Sequence, residues 1–146
     1  YLPPTEHRGF YNSMRFTLSL NRKERNQAGY SPSVRLFEAA SCGTPIISDI
    51  WEGLECFFEI GSELLVASSS DEVLHILKST SEEQRREIGI RARMRVLASH
   101  TSEKRAIELE GVLSEALEVN AGHRPKKSSW TLRAARQRHL YKDLPL

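Results

Sequence analysis

Glu38 is the residue whose type and position could support chemistry. It lies in the middle of a predicted short helix whose other residues are mostly apolar or small. An ionised carboxylate accepts hydrogen bonds or pairs with a cation, so its presence in an apolar helix requires a partner. Two interpretations remain open: Glu38 binds a ligand, or it forms an ion pair with Arg35 or Arg15.

The elements around Glu38 indicate where it would lie. Ser31 or Ser33 can cap the helix, Pro32 suits its first turn, and Gly43 is the residue type that ends a helix in the left-handed conformation. The apolar run that follows predicts a strand of a parallel sheet buried on both faces. This order puts the start of the helix and Glu38 at the rim of an α/β sheet, where ligands bind.

The apolar side of this helix is predicted from its larger residues. Val34, Phe37 and Cys42, together with the alanines, would form its packing stripe. The preceding strand, residues 14–20, alternates apolar and polar residues, which predicts one polar face. Its apolar side would consist of Met14, Phe16, Leu18 and Leu20.

The rest of the chain reads as one further strand and several helices. Ser69 with Glu72 and Ser81 with Gln84 have capping-box spacing. The other predicted elements are a helix capped by Thr5 and ending near residue 12, a short helix over 51–58, a strand over 63–67, a helix to about residue 99, and a last helix to about residue 119. We therefore predict an α/β fold, the later part of a doubly wound parallel sheet followed by C-terminal helices.

Length and composition are those of one soluble domain. The 146 residues are 39% hydrophobic and 27% charged, long enough for one core and too short for two full α/β domains. No apolar run has the length of a membrane span, and the start does not resemble a signal peptide, so we expect a cytoplasmic protein. Because the sequence begins with Tyr1, we expect a piece of a longer chain.

The two cysteines and five histidines lack the spacing of a metal site. Cys42 and Cys56 are expected to be buried free thiols, without a disulfide partner or zinc. Each histidine is interpreted as a surface or packing residue. We expect no metal.

Charge divides the chain into two predicted regions. Residues 121–146 contain seven Lys and Arg against one Asp, whereas residues 1–120 contain 14 Lys and Arg against 18 Asp and Glu. We predict a domain over 1–120 and a basic tail over 121–146, either a short helix or disordered. The tail could touch nucleic acid or a membrane, but the simpler interpretation is a solvated tail or a helix that packs on a missing domain.

The stretch SPSVRLFEAASCGTPIIS resembles the donor-binding half of GT-B glycosyltransferases of the group 1 type. The segments LPPTEHRGFYNS, GYSPSVRLFEAASCG, SDIWEGLECFF and HTSEKRA are most similar to the spore maturation protein B-like branch. The resemblance extends from Tyr1 to about residue 119. It implies a partial Rossmann-like domain that binds a nucleotide sugar, and no metal cofactor.

The resemblance also implies roles for particular residues. In similar enzymes the glutamate at the position of Glu38 accepts hydrogen bonds from the ribose hydroxyls of the donor. The backbone N–H groups of Ser33 and Val34 would meet its diphosphate. The loop at Leu2 and Pro3 would hold the base. Tyr30, Arg35 and Arg22 complete the candidate nucleotide-sugar-binding set.

The sequence departs from the family's pattern at Tyr30. Related enzymes commonly carry a second glutamate at this position, eight residues before the first. Either the Tyr30 hydroxyl replaces it, or Glu24 or Arg22 serves, or the chemistry differs, so no catalytic residue is assigned. The acceptor site would belong to a missing N-terminal domain of the same chain, and we expect this part alone to bind a donor weakly and to be inactive.

Three functions follow from these features. The first is the donor-binding portion of a glycosyltransferase that uses a nucleoside-diphosphate sugar. The second is a non-catalytic α/β binding or interaction domain derived from the same fold, for which Tyr30 is the argument. The third, a nucleic-acid or membrane binder acting through the tail, depends on charge alone.

Overall fold

The computed structural model describes residues 2–22 and 30–120, with side chains described as far as residue 117. Contacts divide the chain into two units, one of residues 1–101 and one from Ser102 onwards, and each is described by itself. The predicted basic tail, residues 121–146, and Glu24 lie outside the described residues. No described helix is long and apolar enough to cross a membrane.

The first unit alternates helices with short strands. In chain order its elements are α1 (Pro4–Asn12), β1 (Thr17–Ser19), α2 (Val34–Ser41), β2 (Ile46–Ser48), a 3₁₀ turn (Leu54–Cys56), β3 (Leu65–Val66), α3 (Ser70–Ser79) and α4 (Glu82–Ser99). The described element of the second unit is α5 (Ser102–Asn120). The predicted α/β class is confirmed.

The three strands form one parallel sheet in the order β1-β2-β3. Thr17 is the register partner of Ile46, and Ile47 is that of Leu65. The central strand β2 is buried along its whole length, as a strand covered on both faces must be. Because all strands run the same way, the loops that follow them meet at one edge of the sheet.

The first strand buries the face opposite to the predicted one. Thr17 and Ser19 are buried, whereas Leu18 is 45% exposed. Leu18 shares a face with its register partner Ile47, which is fully buried. On that face, other residues therefore cover the central strand but leave the edge strand exposed. The alternation of apolar and polar residues alone could not reveal this difference. The Ser48 hydroxyl satisfies the buried Ser19 carbonyl at 3.1 Å.

Helix α2 ends as predicted at Gly43. Gly43 has a φ of 72°, and the N–H groups of Gly43 and Thr44 donate to the carbonyls of Ala40 and Ala39. These are the two bonds of a Schellman motif. Ser33 is the N-cap residue, but its side chain makes no capping hydrogen bond.

The predicted packing stripe of α2 was partly wrong. Its buried residues are Leu36, Ala39 and Ala40, whereas Val34 is 69% exposed. Val34 is exposed because it is the first residue of the helix and lies at the open rim of the sheet. Phe37 and Cys42 are partly buried and pack against the core, as predicted, and Phe37 also contacts Phe57, Phe58 and His100.

Helix α4 packs against α2 through small residues. Its buried positions, Ile88, Gly89, Ala92 and Val96, follow a helical period. A Cβ atom at Gly89 would lie 2.1 Å from the carbonyl oxygen of Gly43, so only glycine allows this approach. The predicted capping box of Ser81 and Gln84 is confirmed by both of its hydrogen bonds.

Two smaller predictions need correction. Thr5 lies inside α1 and does not cap it; the N-cap residue is Pro3. Cys42 and Cys56 were predicted to be buried, but both are only partly buried.

Candidate functional site

The candidate site lies at the edge of the sheet where β1 and β2 end. The backbone N–H of Asn21, just after β1, lies 3.3 Å from each carboxylate oxygen of Asp49, just after β2. This contact joins the two loops. Helix α2 begins at the same edge, since it follows β1 and returns to the start of β2.

Glu38 is held by α1 and not by an arginine. Its Oε1 lies 3.3 Å from Nδ1 of His7, and its Oε2 accepts a hydrogen bond from the Tyr11 hydroxyl, also at 3.3 Å. The Glu38 side chain is 36% exposed. The ion pair with Arg15, one of the two alternatives, is wrong, because Arg15 pairs with Glu82. No ion pair between Arg35 and Glu38 is found among the described residues.

His7 connects Glu38 to the start of the chain. Its Nε2 lies 3.1 Å from the carbonyl oxygen of Leu2, in the loop that the family resemblance assigns to the base. The ring also meets Tyr11 edge to face, with centroids 6.2 Å apart. The imidazole thus lies between a backbone carbonyl and a carboxylate.

Tyr11 is the buried support of this arrangement. The residue is 4% exposed, and its backbone carbonyl accepts a hydrogen bond from the Thr44 hydroxyl at 2.8 Å. Burial, and then the charge of Glu38 and the hydrogen bond to it, raise the pKa of the Tyr11 phenol. Tyr11 therefore stays protonated and serves as a donor to Glu38.

The start of α2 presents backbone N–H groups at the sheet edge. Helix geometry leaves the N–H groups of the first residues, Val34 and Arg35, without intrahelical acceptors. The Leu36 N–H already donates to the Ser33 carbonyl at 3.0 Å. The side chains of Val34 and Arg35 are exposed, so an anion can approach the helix end from solvent.

Tyr30 lies against the loop after β2 in a strained backbone conformation. Its φ is 45°, a value that aromatic residues rarely adopt, and its N–H donates to the Glu52 carbonyl at 2.7 Å. A Cβ at Gly53 would lie 2.5 Å from the Tyr30 ring, so the ring lies directly on this glycine. Strained residues of this kind concentrate at binding sites.

The predicted set is therefore brought together only in part. Ser33, Val34 and Arg35 share the helix start, and Arg22 is exposed just after β1 at the same sheet edge. Glu38 faces α1, and Tyr30 contacts the loop after β2. Trp51, also in that loop, is a core residue at 5% exposure.

His7 and Tyr11 were missed as functional partners of Glu38. They are four residues apart on a predicted helix, which places them on one face. That spacing was a usable signal, but nothing in the sequence states which helix this face meets. Within residues 2–22 and 30–120, no group of three or more His, Cys, Asp or Glu is arranged to hold a metal ion.

Comparison with known protein families shows which family the chain resembles. A family model described as glycosyl transferase-like matches residues 1–111 of the 146. The matched range contains the sheet, helices α1 to α4 and all the candidate site residues. No curated protein matches the chain.

Proposed function

Because this chain belongs to the glycosyl transferase-like family, we propose that it forms the donor-binding portion of a transferase that uses a nucleoside-diphosphate sugar. The observation that carries the proposal is the state of Glu38. Its carboxylate is fixed by two contacts from α1 and is still 36% exposed. A carboxylate has about four acceptor positions, so two contacts leave capacity for a ligand.

The ribose is the part of the donor that suits Glu38. Its two hydroxyls form a vicinal diol, and the two oxygens of one carboxylate can accept a hydrogen bond from each. Since His7 and Tyr11 restrain the carboxylate before the ligand arrives, less conformational entropy is lost on binding.

The diphosphate suits the start of α2. Backbone N–H groups there and the positive end of the helix dipole attract anions. The exposed guanidinium groups of Arg35 and Arg22 add positive charge at this edge. In transfer the diphosphate is the leaving group, so the same groups would stabilise its developing charge.

A second candidate function is a binding domain that keeps the fold without the chemistry. Tyr30 favours it, since similar enzymes carry a glutamate there and the Tyr30 ring lies on Gly53. Binding of a nucleotide without turnover of any nucleotide sugar by the intact protein would support this candidate over the first.

The proposal is tested by titrating the chain with UDP and with GDP, using calorimetry and backbone amide shifts. We expect at least one to bind and to shift the amides of Val34 and Arg35. Glu38→Ala should weaken binding by about 2 to 3 kcal/mol, the worth of hydrogen bonds to a charged group.

Glu83→Ala is the matched control, since Glu83 is an exposed glutamate on α4. It should bind like the wild-type chain. An unchanged affinity in Glu38→Ala would remove the ribose role, and failure of both nucleotides to bind would count against the donor-binding proposal as a whole.

A further inference from the structure

We infer that His7 is a positioning residue for nucleotide binding, which couples the Leu2 loop to the Glu38 carboxylate. This inference rests on the proposed function, because it concerns how the carboxylate is oriented before a nucleotide binds. The sequence gives His7 no ligand spacing, and the family resemblance assigns it no role.

The geometry places His7 between two acceptors. Its Nε2 is 3.1 Å from the Leu2 carbonyl oxygen, and its Nδ1 is 3.3 Å from Glu38 Oε1. The edge-to-face contact with the Tyr11 ring restricts rotation of the imidazole. One ring therefore fixes the separation between a backbone loop and a carboxylate that belong to segments far apart in the chain.

The partners of the two ring nitrogens limit which hydrogen bonds His7 can form. A carbonyl and a carboxylate only accept, so each nitrogen of His7 must donate to satisfy its partner. A neutral ring donates through one nitrogen, whereas the imidazolium donates through both. The charged groups around the ring are Glu38, whose Oε1 lies 3.3 Å from Nδ1, and Arg35, whose charge reaches the neighbouring Tyr11 phenol.

Tyr11 completes the restraint on Glu38. Its hydroxyl donates to Oε2 while His7 faces Oε1, so each carboxylate oxygen has its own partner on α1. With both oxygens restrained, the carboxylate keeps one orientation, and each oxygen retains acceptor capacity. Without His7 only Oε2 would be held, and the carboxylate could rotate away from the orientation that a diol requires.

The His7 contacts are too exposed to be important for folding. The side chain of His7 is 31% exposed and that of Glu38 36%. Polar contacts between side chains with this exposure contribute little to stability. A positioning role therefore predicts that substitutions lower nucleotide affinity while the melting temperature stays unchanged.

The test compares three variants of the full chain, with UDP and GDP as probes. His7→Phe removes both nitrogens and should weaken binding about tenfold, as expected for one hydrogen bond to a charged group. His7→Asn puts an amide nitrogen near the position of Nδ1 and should recover most of the affinity. His7→Gln places its amide near Nε2, keeps the Leu2 contact and should resemble His7→Phe.

His75→Phe is the matched control, because His75 is an exposed histidine on α3, and it should change nothing. The inference is overturned if His7→Phe binds like the wild-type chain, or if all three His7 variants lose affinity and melting temperature together. These outcomes differ from failure of the proposed function, in which the wild-type chain itself binds neither probe.

Discussion

Two carboxylates in the first unit are restrained in opposite ways. Glu63 is 11% exposed and accepts hydrogen bonds from Arg95 Nε at 3.0 and 2.8 Å and from the Glu59 N–H at 2.8 Å. Glu38 is 36% exposed, and its two contacts are both 3.3 Å long. The first carboxylate is buried and held by short bonds, whereas the second is more exposed and held by longer ones.

This difference separates a structural carboxylate from one that is available to a ligand. The hydrogen bond to Glu63 is the main cause that raises the pKa of the Arg95 guanidinium, so this guanidinium stays charged at physiological pH. The Glu63 carboxylate is mostly shielded from water and bonded to protein donors, so it is poorly available to a ligand. Glu38 keeps acceptor capacity on its exposed side.

The largest effect should come from removing the partner of Glu63. Arg95→Met keeps an unbranched apolar stem but leaves a buried carboxylate without its cation, at a cost of about 3 kcal/mol in the free energy of unfolding. Urea denaturation measures this. Arg93→Met, at an exposed position on the same helix, is the control and should cost little.

Nucleotide affinity of Arg95→Met should stay the same wherever the variant is folded. If the variant is as stable as the wild-type chain, Glu63 is not a structural carboxylate and the comparison fails.

A smaller effect is expected at the other carboxylate. Tyr11→Phe keeps the buried ring and removes the hydroxyl that holds Glu38 Oε2, so the free energy of unfolding should fall by about 1 kcal/mol or less. Affinity for UDP or GDP should fall as well, because the carboxylate is less restrained. Calorimetry and urea denaturation on the same samples separate the two effects.

A double-mutant cycle sharpens this result. If the hydroxyl acts through Glu38, then Tyr11→Phe combined with Glu38→Ala should bind no more weakly than Glu38→Ala alone. Additive losses of affinity would mean that Tyr11 touches the nucleotide by another route.

The smallest effect concerns a third carboxylate, that of Glu82, which is fully paired but exposed. The hydrogen bond from Arg85, and then that from Arg15, lower the pKa of Glu82. A lowered folded pKa gives stability that is present above the ordinary glutamate value and is lost as pH falls through the lowered one.

Glu82→Gln should therefore flatten the acid limb of the stability curve, measured as the free energy of unfolding between about pH 2 and pH 6. Glu83→Gln, at the neighbouring exposed glutamate, should leave that limb unchanged. An acid limb that is the same in both variants would show that Glu82 adds nothing to stability.

The parts of this fold that were predictable from sequence are those that local physics decides. Gly43 ends α2 because glycine adopts a positive φ without strain, and the Ser81 capping box depends on a spacing of three residues. The buried run of β2 needs no partner to be recognised as a central strand.

The parts that failed depend on contacts between distant segments. The buried face of β1 depends on neighbouring residues that cover Ile47 but do not extend to Leu18. The alternation of apolar and polar residues in the sequence does not show where this coverage ends. The prediction of the candidate site was incomplete for the same reason. Glu38 was identified from its apolar surroundings, whereas its partners His7 and Tyr11 belong to a helix about 30 residues earlier.

The close approach of Gly89 to Gly43 helps to position both the Glu63 and the Glu38 carboxylates. Arg95 lies six residues after Gly89 on α4, about 9 Å along the helix axis, and Glu38 lies five residues before Gly43. Because Gly89 has no side chain, α4 can lie directly on the turn that ends α2. The position of Arg95 relative to Glu63 and the position of the helix that carries Glu38 thus both depend on one backbone contact. A change in that contact would alter both carboxylate sites.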